Sequence, residues 1–282
     1  MREKGLFLMK KWVAVAMTVL MSGLLLAGCG SSSSAGDANE PGKANTEPEK
    51  GAVQQKIVIG LDDTFAPMGF RDDGGNLVGF DVDMAKEVAS RLDMEVEFKP
   101  IDWNSKEVEL NSKKIDMIWN GLTITKERLE KIAFSKPYMA NRQIVVVLSG
   151  SDIKTKADLA GKVVGTQEGS SSVDALNAEP EVTGTFKELR TYADFVAVLN
   201  ELSIGRVEAV VGDEVVLKYY MNKKPGTFAA IEDNFGEEEY GVGLRKDDTE
   251  LLGKLQGALD AMKADGKSAE ISKKWFGEDI VK

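Results

Sequence analysis

From Lys56 to the C-terminus, short apolar runs of strand character alternate with amphipathic runs of helical character. This alternation constrains the fold more than any other feature. It predicts α/β architecture with mostly parallel sheet. Lys56 to Leu61, Glu95 to Pro100, Ile115 to Trp119, Gln143 to Leu148, Lys162 to Thr166 and Val207 to Val211 read as strands. Asp81 to Leu92 reads as a helix, with Val82, Ala85, Val88, Ala89 and Leu92 on one face. Tyr192 to Ser203 repeats the pattern with Phe195, Val198, Leu199 and Leu202. The stretch from Thr249 to Trp275 is helical apart from a break at Asp265-Gly266.

One junction carries chemistry. The run Ile115-Asp116-Met117-Ile118-Trp119 leads into Asn120-Gly121-Leu122-Thr123-Ile124-Thr125-Lys126-Glu127-Arg128. A strand ends in a small-residue turn with free amides. Hydroxyl residues follow, and an arginine stands at the start of the next helix. Amides and a helix N-terminus supply partial positive charge, and a guanidinium can grip a carboxylate through two bonds. The plainer reading is an N-capping threonine and a surface arginine. A faint echo recurs 92 residues later, where Val207-Glu208-Ala209-Val210-Val211-Gly212-Asp213 follows Gly205-Arg206. Two α/β halves that each present a strand end to a shared crevice would bind a ligand between them.

Composition fixes the compartment. Lys10-Lys11 precede an uncharged run from Trp12 to Ala27, about 16 residues, short of the ~20 that a spanning helix needs. It ends Leu26-Ala27-Gly28-Cys29. This is an export signal, and its end resembles a bacterial lipobox, in which the cysteine is acylated. Translation could start at Met1 or at the more compact Met9. Cys29 is the only cysteine, which excludes a disulfide framework. Residues 30 to 54 are small, polar or charged and cannot bury a core, so they read as a disordered tether. The formal charge is −10, and the leader itself is basic, so the exported part is more acidic still. That argues against nucleic acid as a partner. The chain has no histidine, which removes Ser-His-Asp and Cys-His catalysis and any histidine-held metal. No cofactor or metal is expected.

The folded part, from about residue 55 to 277, resembles the polar amino-acid-binding proteins of ABC importers, the group of histidine, arginine, glutamine and cystine receptors. The matching residues are Ile59-Gly60-Leu61-Asp62 with Phe65-Ala66-Pro67, Gly79-Phe80-Asp81-Val82-Asp83, Trp103, Gly121-Leu122-Thr123 with Arg128, and Phe134-Ser135-Lys136-Pro137-Tyr138. Further along they are Asp158-Leu159-Ala160-Gly161-Lys162-Val163-Val164-Gly165, Asp213-Glu214, Gly243-Leu244-Arg245-Lys246 and Lys274-Trp275-Phe276. The resemblance implies a two-lobed periplasmic-binding-protein-like fold of type II, with two hinge strands and the ligand in the interlobe cleft. Residues 1–28 would be a lipoprotein signal and 29–54 a tether. Lobe one would hold 55–141 and 240–282, and lobe two 142–239.

By the same resemblance, Arg128, Thr123 and the amide of Ser171 would hold the ligand α-carboxylate. Asp213, Thr123 and the Gly121 carbonyl would hold the α-ammonium. Asp62, Phe65, Trp103, Asn120 and Glu168 would surround the ligand side chain. Asp81 and Asp83 read as helix-start acids, not ligands. The departures from the family pattern are Phe65, Met68-Gly69, Trp119-Asn120 and Glu168. They cluster at the side-chain end and leave the ligand's identity open. The expectation is a monomeric lipoprotein on the outer face of the cytoplasmic membrane that passes a polar neutral amino acid, a basic one or cystine to permease subunits. Two other functions are compatible with the same resemblance, a cleft dehydratase on the same fold and a sensor-associated binding module. Neither explains paired anchors for a carboxylate and an ammonium as directly.

Overall fold

The computed structural model describes residues 55–282. The export signal, Cys29 and the tether lie outside the described residues. The architecture is α/β, with two five-stranded sheets and a small three-stranded one.

The first sheet runs in the order Glu95–Pro100, Lys56–Leu61, Met117–Ile118, Gly243–Leu244, Ala133–Phe134. Its first three strands are parallel, and Gly243–Leu244 pairs antiparallel on both sides. The second sheet runs Glu188–Tyr192, Val163–Gln167, Ala209–Asp213, Met139–Leu148, Phe228–Tyr240. Again two pairings are parallel and two antiparallel, both of the latter made by Met139–Leu148. Each sheet is therefore mixed rather than mostly parallel. The reason is topological: strands that cross between the halves enter each sheet against the grain of its βαβ units.

The strands Met139–Leu148 and Phe228–Tyr240 make those crossings and pair with each other along their length. They serve as hinge strands. Their register places Tyr240 beside Met139 and Glu238 beside Asn141, with irregularities between Ala230 and Asn234 and between Asn234 and Glu237.

The helices form where periodicity places them. Phe80–Arg91 buries Phe80, Val82, Met84, Ala85, Val88 and Ala89. Phe195–Ser203 buries Phe195, Val198, Leu199 and Leu202, and Asp194 caps it by accepting from the Ala197 amide at 2.7 Å. Tyr192, expected in that helix, instead ends an edge strand, because Asp194 takes the cap position. The C-terminal helices Thr249–Ala264 and Lys267–Phe276 are separated at Asp265-Gly266 as the sequence predicts.

Candidate functional site

The turn after Met117–Ile118 is built around Gly121. Its φ is +57°, and an added Cβ would stand 2.7 Å from Phe65 Cε1 and 3.2 Å from the Tyr240 ring. A side chain is excluded on both counts. The Gly121 amide donates to Asp81 Oδ2 at 2.7 Å, and the Tyr138 hydroxyl donates to the same oxygen at 2.9 Å. Asp81 thus lies in the first turn of its helix, as read from the sequence, yet its carboxylate braces the turn. Burial pushes that carboxyl up to about 7.

Four residues on, Thr125 caps the helix Lys126–Lys131 by accepting from the Arg128 amide at 3.1 Å. The cap fixes the first turn of the helix. The buried Arg128 side chain reaches back across it, donating from Nη1 to the Thr123 carbonyl at 2.9 Å and from Nη2 to the Gly169 carbonyl at 3.1 Å. Gly169 belongs to the second sheet's side, so the guanidinium bridges the two halves.

The opposing wall is the turn that follows Val163–Gln167. Gly169 has a φ of +68°, and the helix Ser171–Asn177 starts two residues later. Ser171 Oγ lies 3.0 Å from Thr123 Oγ1, so the two residues named from the sequence meet across the cleft through their hydroxyls, although the sequence pointed to the Ser171 amide. Lys106, buried and over the Trp103 ring at 5.2 Å, donates to the Gly169 carbonyl at 2.8 Å. Burial, then the Arg128 charge, push this lysine down to about 8.

Asp213 ends the strand Ala209–Asp213 and stands at the N-cap position of Glu214–Lys223, but its side chain makes no cap bond. Its Oδ1 accepts from Asn141 Nδ2 at 2.6 Å and from the Tyr240 hydroxyl at 2.7 Å. It is 2% exposed. Burial, then the charge of Glu238, raise it to about 7. Glu238 itself, on the second hinge strand, points its Oε2 at the same place. That oxygen accepts from Thr123 Oγ1 at 2.9 Å, Gln143 Nε2 at 2.9 Å, Asn141 Nδ2 at 3.0 Å and Ser171 Oγ at 3.1 Å.

The other end of the cleft is more apolar. Phe65 stacks on Trp103 with ring centroids 6.4 Å apart and meets Phe195 at 6.0 Å. Asp62 Oδ1 accepts from the Thr64 amide at 2.9 Å and the Thr64 hydroxyl at 2.7 Å, and Oδ2 accepts from Gln167 Nε2 at 2.7 Å. Burial raises its pKa. Asn120 Oδ1 accepts from the Asp62 amide at 3.1 Å, which fixes the carboxylate's backbone. Glu168 is exposed, and its Oε1 accepts from Asn104 Nδ2 at 3.1 Å. It stands at the rim because the strand, buried along its whole length, ends at Gln167 and the turn begins with Glu168.

The structure therefore brings Thr123, Arg128, Ser171 and Asp213 to one place, with Gly121 beside them, and Asp62, Phe65, Trp103 and Asn120 to the adjoining one. Sequence reasoning missed Glu238, Asn141, Gln143, Gln167, Phe195, Tyr240 and Lys106. The assembled groups offer a guanidinium to an anion and a buried carboxylate with hydroxyl oxygens beside it to a cation. A small zwitterion has that pattern of charge.

Comparison with known proteins follows the same line. The model of the bacterial extracellular solute-binding proteins, family 3, matches residues 57–278. The L-cystine-binding protein TcyJ of Escherichia coli (strain K12) is 34% identical over 245 residues, covering 86% of this chain and 89% of the relative. Among solved structures, an ABC uptake transporter substrate-binding protein from Streptococcus pneumoniae with bound histidine superposes with a TM-score of 0.78 at 40% identity, covering 80% of this chain and 94% of the other. The arginine-, lysine-, histidine-binding protein ArtJ of Geobacillus stearothermophilus gives a TM-score of 0.74 at 36% identity, covering 80% and 96%.

Proposed function

The chain belongs to family 3 of the bacterial extracellular solute-binding proteins, and from that footing we propose that it captures a polar amino acid between its lobes and delivers it to an ABC importer. One observation carries the reading: Arg128 and Thr123 from one side and Ser171 and Asp213 from the other converge on a single buried spot. In this reading Arg128, Thr123 and the Ser171 amide take the α-carboxylate. Asp213, Thr123 and the Gly121 carbonyl take the α-ammonium. Asp62, Phe65, Trp103, Asn120 and the rim residue Glu168 face the ligand side chain.

Capture works by differential stability. Only the closed arrangement lets one ligand touch both lobes, so the ligand favours closure by the free energy of those added contacts. The lobe division falls within the hinge strands, with 55–141 and 240–282 on one side and 142–239 on the other. The ligand is a neutral polar amino acid, a basic one or cystine, in keeping with the cystine- and histidine-binding relatives. The mature protein is a monomer, tethered through an acylated Cys29 to the outer face of the cytoplasmic membrane. The relatives named above are binding proteins, so the dehydratase alternative has no support among them.

The test is calorimetry of the protein, stripped of endogenous ligand, against a panel of amino acids. Arg128→Ala and Asp213→Ala should each weaken every ligand by about 2–5 kcal/mol, roughly 30- to several-thousand-fold. Unaltered affinity in both variants, or no binding of any amino acid by the parent, defeats the reading.

A further inference from the structure

Glu238 is a carboxylate at this site that no motif in the sequence marks. It sits in the run Glu237-Glu238-Glu239, whose outer members are exposed. Its Oε2 gathers four donors from three elements: Thr123 from the first lobe's turn, Ser171 from the helix of the second, Asn141 and Gln143 from the opposite hinge strand.

Proton accounting gives this arrangement a consequence. A hydroxyl has one proton and two acceptor sites, while an ionised carboxylate only accepts. The Thr123 proton points at Glu238 at 2.9 Å. The Ser171 proton has two acceptors, Thr123 Oγ1 at 3.0 Å and Glu238 at 3.1 Å. Either choice leaves Thr123 Oγ1 with a free lone pair and no proton to give. We propose that Glu238 is a positioning residue for amino-acid capture: by accepting the hydrogen bond from Thr123 Oγ1 it occupies that hydroxyl's one proton, leaves it only acceptor sites and commits it to the ligand's ammonium group rather than to its carboxylate. This rests on the amino-acid reading above and refines it.

A second observation points the same way. Asn141 Nδ2 donates to both Asp213 and Glu238, so the two acids lie either side of one amide. The charged groups around Asp213 are Glu238 from the hinge strand and Arg128 from the first lobe, with the Tyr240 hydroxyl in contact. The neighbouring pair Arg142–Glu214 is bound to itself at 2.6 Å. Glu238 adds negative charge where the ammonium would sit and helps hold the Asp213 proton in its absence.

The experiment compares L-arginine with 5-guanidinopentanoate, which lacks only the α-amino group, by calorimetry at several pH values. Should another panel amino acid bind better, it and its des-amino analogue are used. Glu238→Gln should weaken the amino acid by about ten- to a hundredfold and leave the des-amino analogue nearly unchanged. It should also move the midpoint of the affinity–pH curve to lower pH, because Asp213 loses a neighbouring charge. Glu238→Asp, which keeps the charge, should retain the parent midpoint. Equal losses for both ligands, or no loss, overturn the proposal. Where the analogue binds too weakly to titrate, an unmoved midpoint overturns it. If Arg128→Ala and Asp213→Ala lose affinity as expected while Glu238→Gln does not, only this inference fails. If the parent protein binds no amino acid, both readings fall.

Discussion

Asp213 and Glu238 share one amide group: Asn141 Nδ2 donates to Asp213 Oδ1 at 2.6 Å and to Glu238 Oε2 at 3.0 Å. Asp213 is buried, and a second acid beside it opposes its ionisation further. Burial and the Glu238 charge raise Asp213 to about 7. An α-ammonium beside Asp213 favours its ionised form, so binding releases the proton whenever the acid holds one. Affinity should therefore be full above about pH 8 and fall below about pH 7, approaching ~tenfold per unit in acid for one linked proton. Calorimetry from pH 5.5 to 8.5 measures the slope. Asp213→Asn should bind more weakly and show a flat profile; a sloping profile in that variant would move the proton elsewhere.

Much of this site was legible because its groups lie on local patterns. Thr125 caps a helix, so Arg128 has a fixed place one turn in. Asp213 ends an apolar strand. Glu238 was hidden by composition: three successive glutamates look like a solvated strand. Alternation holds the clue, since Glu238 lies two residues from the fully buried Tyr240 and shares its face of the strand. Gln167 enters the cleft and Glu168 does not, for a related reason. A charge at a turn draws the eye, but the end of the strand at Gln167 decides which side chain enters the cleft. Asp81 was read correctly as an acid in the first helical turn, yet its contact with Gly121 spans 40 residues and leaves no local trace.

Gly169 should be a closure-specific position. An added Cβ would lie 2.8 Å from Asn104 Cα, which belongs to the other lobe. That clash exists only when the lobes meet. The φ of +68° adds strain in any state. Gly169→Ala should cost about 1–2 kcal/mol of ligand-free stability and weaken the ligand by a further factor on the order of ten. Denaturant unfolding and calorimetry, run on the same preparation, separate the two effects. Loss of stability with unchanged affinity would mean that closure tolerates the methyl group.

Asp81 should leave its mark on stability rather than affinity. Burial raises its folded value to about 7, against roughly 3.9 in an unfolded chain. The folded state thus holds this proton more tightly. Its contribution to stability is present below about pH 4, is lost as pH rises towards 7, and is gone above that. Asp213 adds to the same trend. Ligand-free protein should unfold at lower urea concentration at pH 7.5 than at pH 5. Asp81→Asn should reduce that difference; an unchanged difference would show that Asp81 does not titrate in this range.

Cys29 should decide where the protein resides. One acyl chain gives marginal membrane binding, and two give stable attachment. Cys29→Ala should appear in the soluble or unprocessed fraction of cells, while the parent stays with membranes. A variant that still fractionates fully with membranes would remove the lipid anchor from the reading.

Asp62 carries the specificity question. Its Oδ1 is held by Thr64, but its Oδ2 meets only Gln167, a neutral group that can move aside. An ionised carboxylate there repels an acidic side chain in a cleft that excludes water. The ring faces of Phe65 and Trp103 favour a cation or a flat polar group. Glutamate and aspartate should therefore bind far more weakly than arginine, histidine, glutamine or cystine. For a cationic ligand, Asp62→Asn should cost about 2–5 kcal/mol, while a neutral ligand of similar shape should lose much less. The difference between those two losses, measured by calorimetry, tells whether Asp62 reads charge or only braces its turn. Micromolar binding of glutamate by the parent protein would end the charge argument outright.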